Sequence, residues 1–145
     1  MNITIRPMEQ RDREAVKDMM RSFYSSPAVY TDGSEEIFER DIENCLNDCP
    51  FLEGYVFEST GVLLGYAMAA KSFSTEFGLP CIWIEDLYIQ EKYRGLGLGS
   101  RFLKLIEEKY PDCIYRLEVE EENRRAVAVY KKQGYGILPY MQMKK

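Results

Sequence analysis

Residues 82–103, IWIEDLYIQEKYRGLGLGSRFL, constrain this chain more than any other stretch, because they join a β-patterned run to a helical one through alternating glycines. Ile82 to Gln90 is rich in β-branched and aromatic residues, and simple alternation places Trp83, Glu85, Leu87 and Ile89 on one face. Arg94, Gly95, Gly97 and Gly99 then alternate with Leu96 and Leu98, before a helical apolar stripe at Phe102, Leu103, Ile106 and Tyr110. A glycine turn that opens into a helix leaves backbone N–H groups without partners, beside a dipole end of about half a positive charge. Phosphate suits such a place, and glycine lets it approach closely.

Spacing narrows the ligand. The G-x-x-x-x-G-K-[ST] pattern of a P-loop is absent. A dinucleotide fingerprint needs a third glycine where Ser100 stands, and it follows a first strand, whereas this turn lies past mid-chain. Glu118 and Glu120 fall near the distance of the ribose carboxylate in that fingerprint, which keeps it open at lower weight.

Arg94-Gly95-Leu96-Gly97-Leu98-Gly99, after the strand IEDLYIQ, resembles the R/Q-x-x-G-x-G/A acyl-coenzyme A motif of the GNAT superfamily of N-acetyltransferases. Asn123, Ala126, Tyr130, Gly134 and Tyr135 resemble that superfamily's N-x-x-A-x-x-x-Y-x-x-x-G-[FY] segment. Two motifs in the right order are far more specific than either alone. The resemblance implies an α/β (α+β) fold: a mixed, mostly antiparallel sheet with a central parallel strand pair, flanked by helices. It also implies acetyl-CoA as acyl donor.

The rest of the chain agrees with one such domain over residues 1–145. With 145 residues and 46% hydrophobic composition it has enough material for one core and too little for two. Asn2 to Arg6 alternates as a strand halted by Pro7, and Gln10 to Tyr24 carries a helical stripe. Ser34 reads as the N-cap of a second helix with Ile37, Phe38, Ile42 and Leu46. Glu53 to Ser59 and Val62 to Lys71 read as a hairpin across Thr60-Gly61, and Phe73 to Pro80 as a loop. After the central strand and its helix, Cys113 to Val119 reads as a strand parallel to it through a right-handed crossover. The glycine turn then sits at a strand's carboxyl end, where open α/β sheets bind ligands. Asn123 to Gln133 reads as the last helix and Tyr135 to Met143 as a last strand or hairpin.

Composition excludes several chemistries. Histidine is absent, so acid and base work falls to carboxylates, tyrosines, lysines or thiols. Cys45, Cys49, Cys81 and Cys113 form no framework and no C-x-x-C knuckle, so reduced thiols and no metal are expected. A net charge of −5 disfavours nucleic acid and suits a cationic substrate. No apolar run approaches a membrane span and the start lacks a leader's apolar region, so a cytoplasmic protein with no membrane partner is expected. Its oligomeric state is left open, a homodimer included.

Acyl transfer to an amine requires a neutral nucleophile, and deprotonating a lysine-like amine at pH 7 costs roughly 4 to 5 kcal/mol. A carboxylate acting directly or through water supplies that help. Glu85 is the first candidate and Asp86 the second; adjacent strand residues face opposite ways, so only one looks into the cleft. The departing thiolate needs a hydroxyl donor, and Tyr130 matches the superfamily's tyrosine acid. The resemblance further implies pyrophosphate on the backbone N–H groups of Leu96, Gly97, Leu98, Gly99 and Ser100, with charge from Arg94. It also implies a pantetheine arm along Leu87 and Ile89, and Asn123 steadying the coenzyme. By position it brings Tyr24, Tyr30 and the acidic helix with Glu35 to the acceptor pocket. The leading expectation is an N-acetyltransferase for a small cationic amine such as an aminoglycoside, polyamine or amino acid, with IEDLYI and YRGLGLGS resembling diamine acetyltransferases. The alternatives are acetylation of protein N-termini or lysines, and a non-catalytic acyl-CoA sensor.

Overall fold

In a computed structural model of residues 1–145, Ile3 and Ile5 bring strand β1 (Thr4–Pro7) against β2 (Leu52–Ser59), antiparallel, with Pro7 opposite Tyr55. Pro7 thus belongs to the strand it was expected to halt, which an edge position tolerates because one side of its backbone needs no donor. β2 continues through a hairpin into β3 (Val62–Ser74), and β3 into β4 (Leu79–Ile89). The loop expected over residues 73–80 shrinks to a turn over 75–78, since Phe73 pairs with Pro80 and Ser74 with Leu79. β5 (Ile114–Leu117) lies parallel to β4, and the order β1-β2-β3-β4-β5 makes a mixed, mostly antiparallel sheet.

Helices cover both faces. Helices α1 (Arg13–Tyr24) and α2 (Glu35–Leu46) pack Val16, Met19, Met20, Phe38 and Ile42 on Val56, Tyr66 and Met68. α2 starts where expected, with the Ser34 hydroxyl accepting from the Ile37 N–H at 3.2 Å. Helix α3 (Leu98–Lys109) sets Leu98, Phe102, Leu103 and Ile106 against Phe57, Leu64, Ile82 and Ile84 on the other face. Each such side chain, fully buried, contributes about 1.5–3 kcal/mol. Helix α4 (Arg124–Lys132) lies beside α3, and Tyr130 and Tyr135 pack onto the same core.

Two differences from the sequence pattern matter. Asp86 pairs with Met68 but Ile84 with Ala69, so Glu85 is the extra residue of a β-bulge. The bulge resets the alternation: Ile82 and Ile84 share a core with Leu87 and Ile89, in place of the Trp83 and Glu85 that regular pleating puts there. Residues 133–145 form no strand, and Ile137, Met141 and Met143 are 84%, 88% and 90% exposed. Tyr135 is held inward by the core, and Pro139 removes a donor from the middle of the run.

Candidate active site

The parallel pair is short. β5 pairs only with Cys81 to Ile84, whereas β4 runs on through the bulge to Ile89, so the two strands part and a cleft opens between them. Its volume is about 610 Å³.

The glycine turn forms one end of this cleft. Gly95 and Gly97 adopt φ of 85° and 75°, which favour glycine, and Gly97 is the N-cap of α3. No heavy atom lies within 4 Å of where a Cβ on Gly97 would stand, so the backbone there is open to a guest. Gly95, Gly97, Leu98, Gly99 and Ser100 line the cleft, as do Leu87 and Ile89 from β4 and Asn123 from the start of α4. The Asn123 side chain caps α4 by accepting from the Ala126 N–H at 3.4 Å. Leu96 alone of the expected turn residues does not line the cleft; it is 55% exposed. Two helix N-termini, strand backbone beyond the end of β5 and left-handed glycines fit a diphosphate joined to an extended arm.

Glu85 and Tyr130 both line the cleft. The Glu85 carboxylate makes no hydrogen bond or ion pair within the protein. Desolvation by the cleft walls, then Asp86 and Glu118, raise its pKa above the ordinary carboxylate range. The Tyr130 hydroxyl likewise has no protein partner, its ring stands 6.0 Å from that of Tyr135, and burial raises its pKa, keeping it protonated. A free carboxylate and a free phenol in one cleft have the chemistry of a general base and a general acid.

Asp86 is placed elsewhere. It is 4% exposed on the other side of β4, its oxygens accepting from Tyr24 at 2.8 Å and Tyr66 at 2.7 Å. Tyr24 is therefore committed to Asp86, while its neighbours Phe23, Ser26, Pro27 and Ala28 form the cleft wall. Tyr30 is 88% exposed and outside the cleft. Glu35 is also outside it, paired with Arg21 at 2.8 Å. The acidity of α2, which the sequence sets against Arg40 alone, is offset by α1: Glu39 pairs with Arg13 and Lys17, and Glu43 with Arg13.

Two residues escaped the sequence reading. Asp41 lies in the inward stripe of α2, three residues after Phe38 and one before Ile42, and burial followed by Asp86 pushes its carboxyl up to about 6. A carboxylate at helical spacing among apolar residues was the available signal. Arg125 lies across the glycine turn, its Nη2 3.2 Å from where a Cβ of Gly95 would stand; no periodicity marks it.

Residues 14–135 match the model of the Acetyltransferase (GNAT) family, and the chain belongs to that family. The chain is 39% identical over 75 residues to thialysine N-epsilon-acetyltransferase of Bos taurus, a stretch covering 50% of this chain and 44% of that protein. It thus matches less than half the length of that relative. Similarity to the spermine/spermidine N(1)-acetyltransferase of Bacillus subtilis is 26% over 141 residues, 93% of this chain and 88% of that one. The fold matches the aminoglycoside N-acetyltransferase AAC(6')-Iy bound to a bisubstrate analogue of CoA with a TM-score of 0.81 at 14% identity, covering 100% and 98% of the two chains. It also matches a ribosomal-protein-alanine N-acetyltransferase from Brucella melitensis with a TM-score of 0.78 at 14% identity, covering 99% of each.

Proposed function

We propose that this chain transfers the acetyl group of acetyl-CoA to the primary amine of a small cationic acceptor, with Glu85 as general base and Tyr130 as general acid. The observation that carries the reading is that both groups are unpartnered in the cleft that begins at the glycine turn. The coenzyme supplies the acyl thioester. The turn and the α3 N-terminus hold its pyrophosphate, and β4 at Leu87 and Ile89, beyond the end of its pairing with β5, aligns its arm. Glu85, with its raised pKa, takes the ammonium proton directly or through water; Tyr130, kept protonated by burial, gives a proton to the departing thiolate.

The acceptor class follows from charge. Glu85, Glu118 and Glu122 outnumber Arg94 and Arg125 in the cleft lining, and Asp41 and Asp86 lie close to Glu85, a field suited to a cation at that carboxylate. Relatives named for spermine, spermidine and thialysine act on amines of this kind by their names, which supports a diamine or polyamine over a neutral amine. A basic peptide terminus meets the same field, and is the second reading.

Free thiol released from acetyl-CoA decides between them. A panel of polyamines, diamino acids and aminoglycosides is expected to release thiol faster than a panel of basic peptides. Faster release with peptides reverses the order, and none with any amine, in protein that binds acetyl-CoA, makes the chain a sensor.

A further inference from the structure

We propose that Arg125, from the first turn of α4, is the cation that clamps the coenzyme's pyrophosphate over the glycine turn, in place of the arginine in the glycine motif. The inference rests on the reading that this cleft binds CoA. Arg94 is already engaged: its Nε donates to the Ile89 carbonyl at 2.8 Å and its guanidinium carbon stands 5.6 Å from the Tyr88 ring centroid. It straps the end of β4 to the turn. Arg125 is free. It lines the cleft, makes no hydrogen bond or ion pair with any side chain or carbonyl, and reaches over Gly95.

Two further features point the same way. A guanidinium at the start of a helix sits at the positive end of the dipole, and α4 has no acidic residue in its first turn to offset Arg124 and Arg125. The nearest acids, Glu120 to Glu122, stand before the Asn123 N-cap and outside the helix, so an anion bound at the turn adds a favourable partner for the Arg125 guanidinium. Gly95 contributes no side chain, so the guanidinium rests close to the turn backbone; any Cβ would press on it at 3.2 Å. The planar fork can then hold one pair of phosphate oxygens from above while backbone N–H groups of the turn hold others from below.

The test is calorimetric titration of CoA and of dephospho-CoA, which lacks the 3′-phosphate, into wild type, Arg125→Gln and Arg125→Lys, with the thermal midpoint of each ligand-free protein. Arg125→Gln is expected to weaken both ligands equally, by about 10- to 100-fold as for loss of a charged hydrogen-bonding group. Its ligand-free midpoint should be unchanged or higher, a result a purely structural arginine does not give, and lysine should restore part of the affinity. Loss confined to CoA moves Arg125 to the 3′-phosphate and overturns the assignment, as does undiminished affinity in the glutamine variant. Wild-type protein that binds neither ligand overturns the cofactor reading and this assignment with it.

Discussion

The Tyr66 hydroxyl donates to Asp86 Oδ2 at 2.7 Å, in the core on the far side of β4 from the cleft that Glu85 enters. Adjacent carboxylates thereby have separate work: Asp86 anchors the buried Tyr66 and the half-buried Tyr24, and Glu85 meets solvent. Asp86→Ala leaves both hydroxyls without their acceptor and is expected to cost about 2–6 kcal/mol, at 1–3 kcal/mol for each unsatisfied group. Glu85→Gln should leave the melting midpoint within 1 to 2 °C of wild type, an order-of-magnitude expectation for an exposed, unpaired side chain, and lower kcat. Equal stability losses in the two variants would contradict the division.

Asp41 gives a pH dependence of opposite sign to an ordinary ion pair. Its folded pKa, about 6, lies above its ordinary 3.8, so the native state binds the proton more tightly and stability falls as pH rises between those values. Asp41→Asn should therefore stabilise the protein at pH 7.5 by about 1–2 kcal/mol after allowance for solvent screening, and change little at pH 3.5. Urea midpoints at the two pH values check this; a variant destabilised at both denies the buried repulsion.

At the other end of β2, Glu53 accepts from Lys71 at 3.0 Å, Lys109 at 3.2 Å, and the hydroxyls of Tyr55 and Tyr110. Burial opposes its charge, but these donors outweigh burial and hold the carboxyl down at about 2. The sign is that of a lowered acid: its stabilisation is complete above 4.5 and is lost as pH falls towards 2. Glu53→Gln is expected to cost about 2 kcal/mol at pH 7 and progressively less below pH 4. A penalty that stays constant between pH 7 and 3 would show that shape, and not charge, is what Glu53 supplies.

The glycine turn and the two helix starts were legible because glycine, serine and asparagine act locally through φ and capping, whatever surrounds them. Strand pairing in β2 to β4 was legible from alternation for the same reason. The bulge at Glu85 was not: it is fixed by register against Met68 and Ala69, which no pattern within β4 encodes. The ion pairs that offset α2 were hidden because Arg13, Lys17 and Arg21 lie on another helix, some 14 to 30 residues away in sequence. Arg125 over Gly95 is likewise a tertiary meeting of two segments, and the tail failed as a strand because a core contact at Tyr135 and a proline at 139 outweighed its propensity.

Gly97 gives the turn its most direct test. Gly97→Ala puts a Cβ into space that is open in the free protein and forces a left-handed residue, costing about 1–2 kcal/mol of stability. CoA affinity should fall at least about tenfold, because the proposed pyrophosphate site occupies that space. Stability loss with unchanged affinity by calorimetry would separate the turn from the ligand.

Tyr130 is where acid catalysis stands or falls, because its hydroxyl is free, protonated and in the cleft, and no histidine can substitute. Tyr130→Phe keeps the ring against Tyr135 and deletes only the proton donor. The most direct measurement is the steady-state kcat of thiol release from acetyl-CoA with the best amine, taken with the thermal midpoint on the same preparation. A fall in kcat of about 10- to 1000-fold is expected, with a midpoint and cofactor affinity close to wild type. Wild-type turnover in a phenylalanine variant, with or without a lower midpoint, would contradict it.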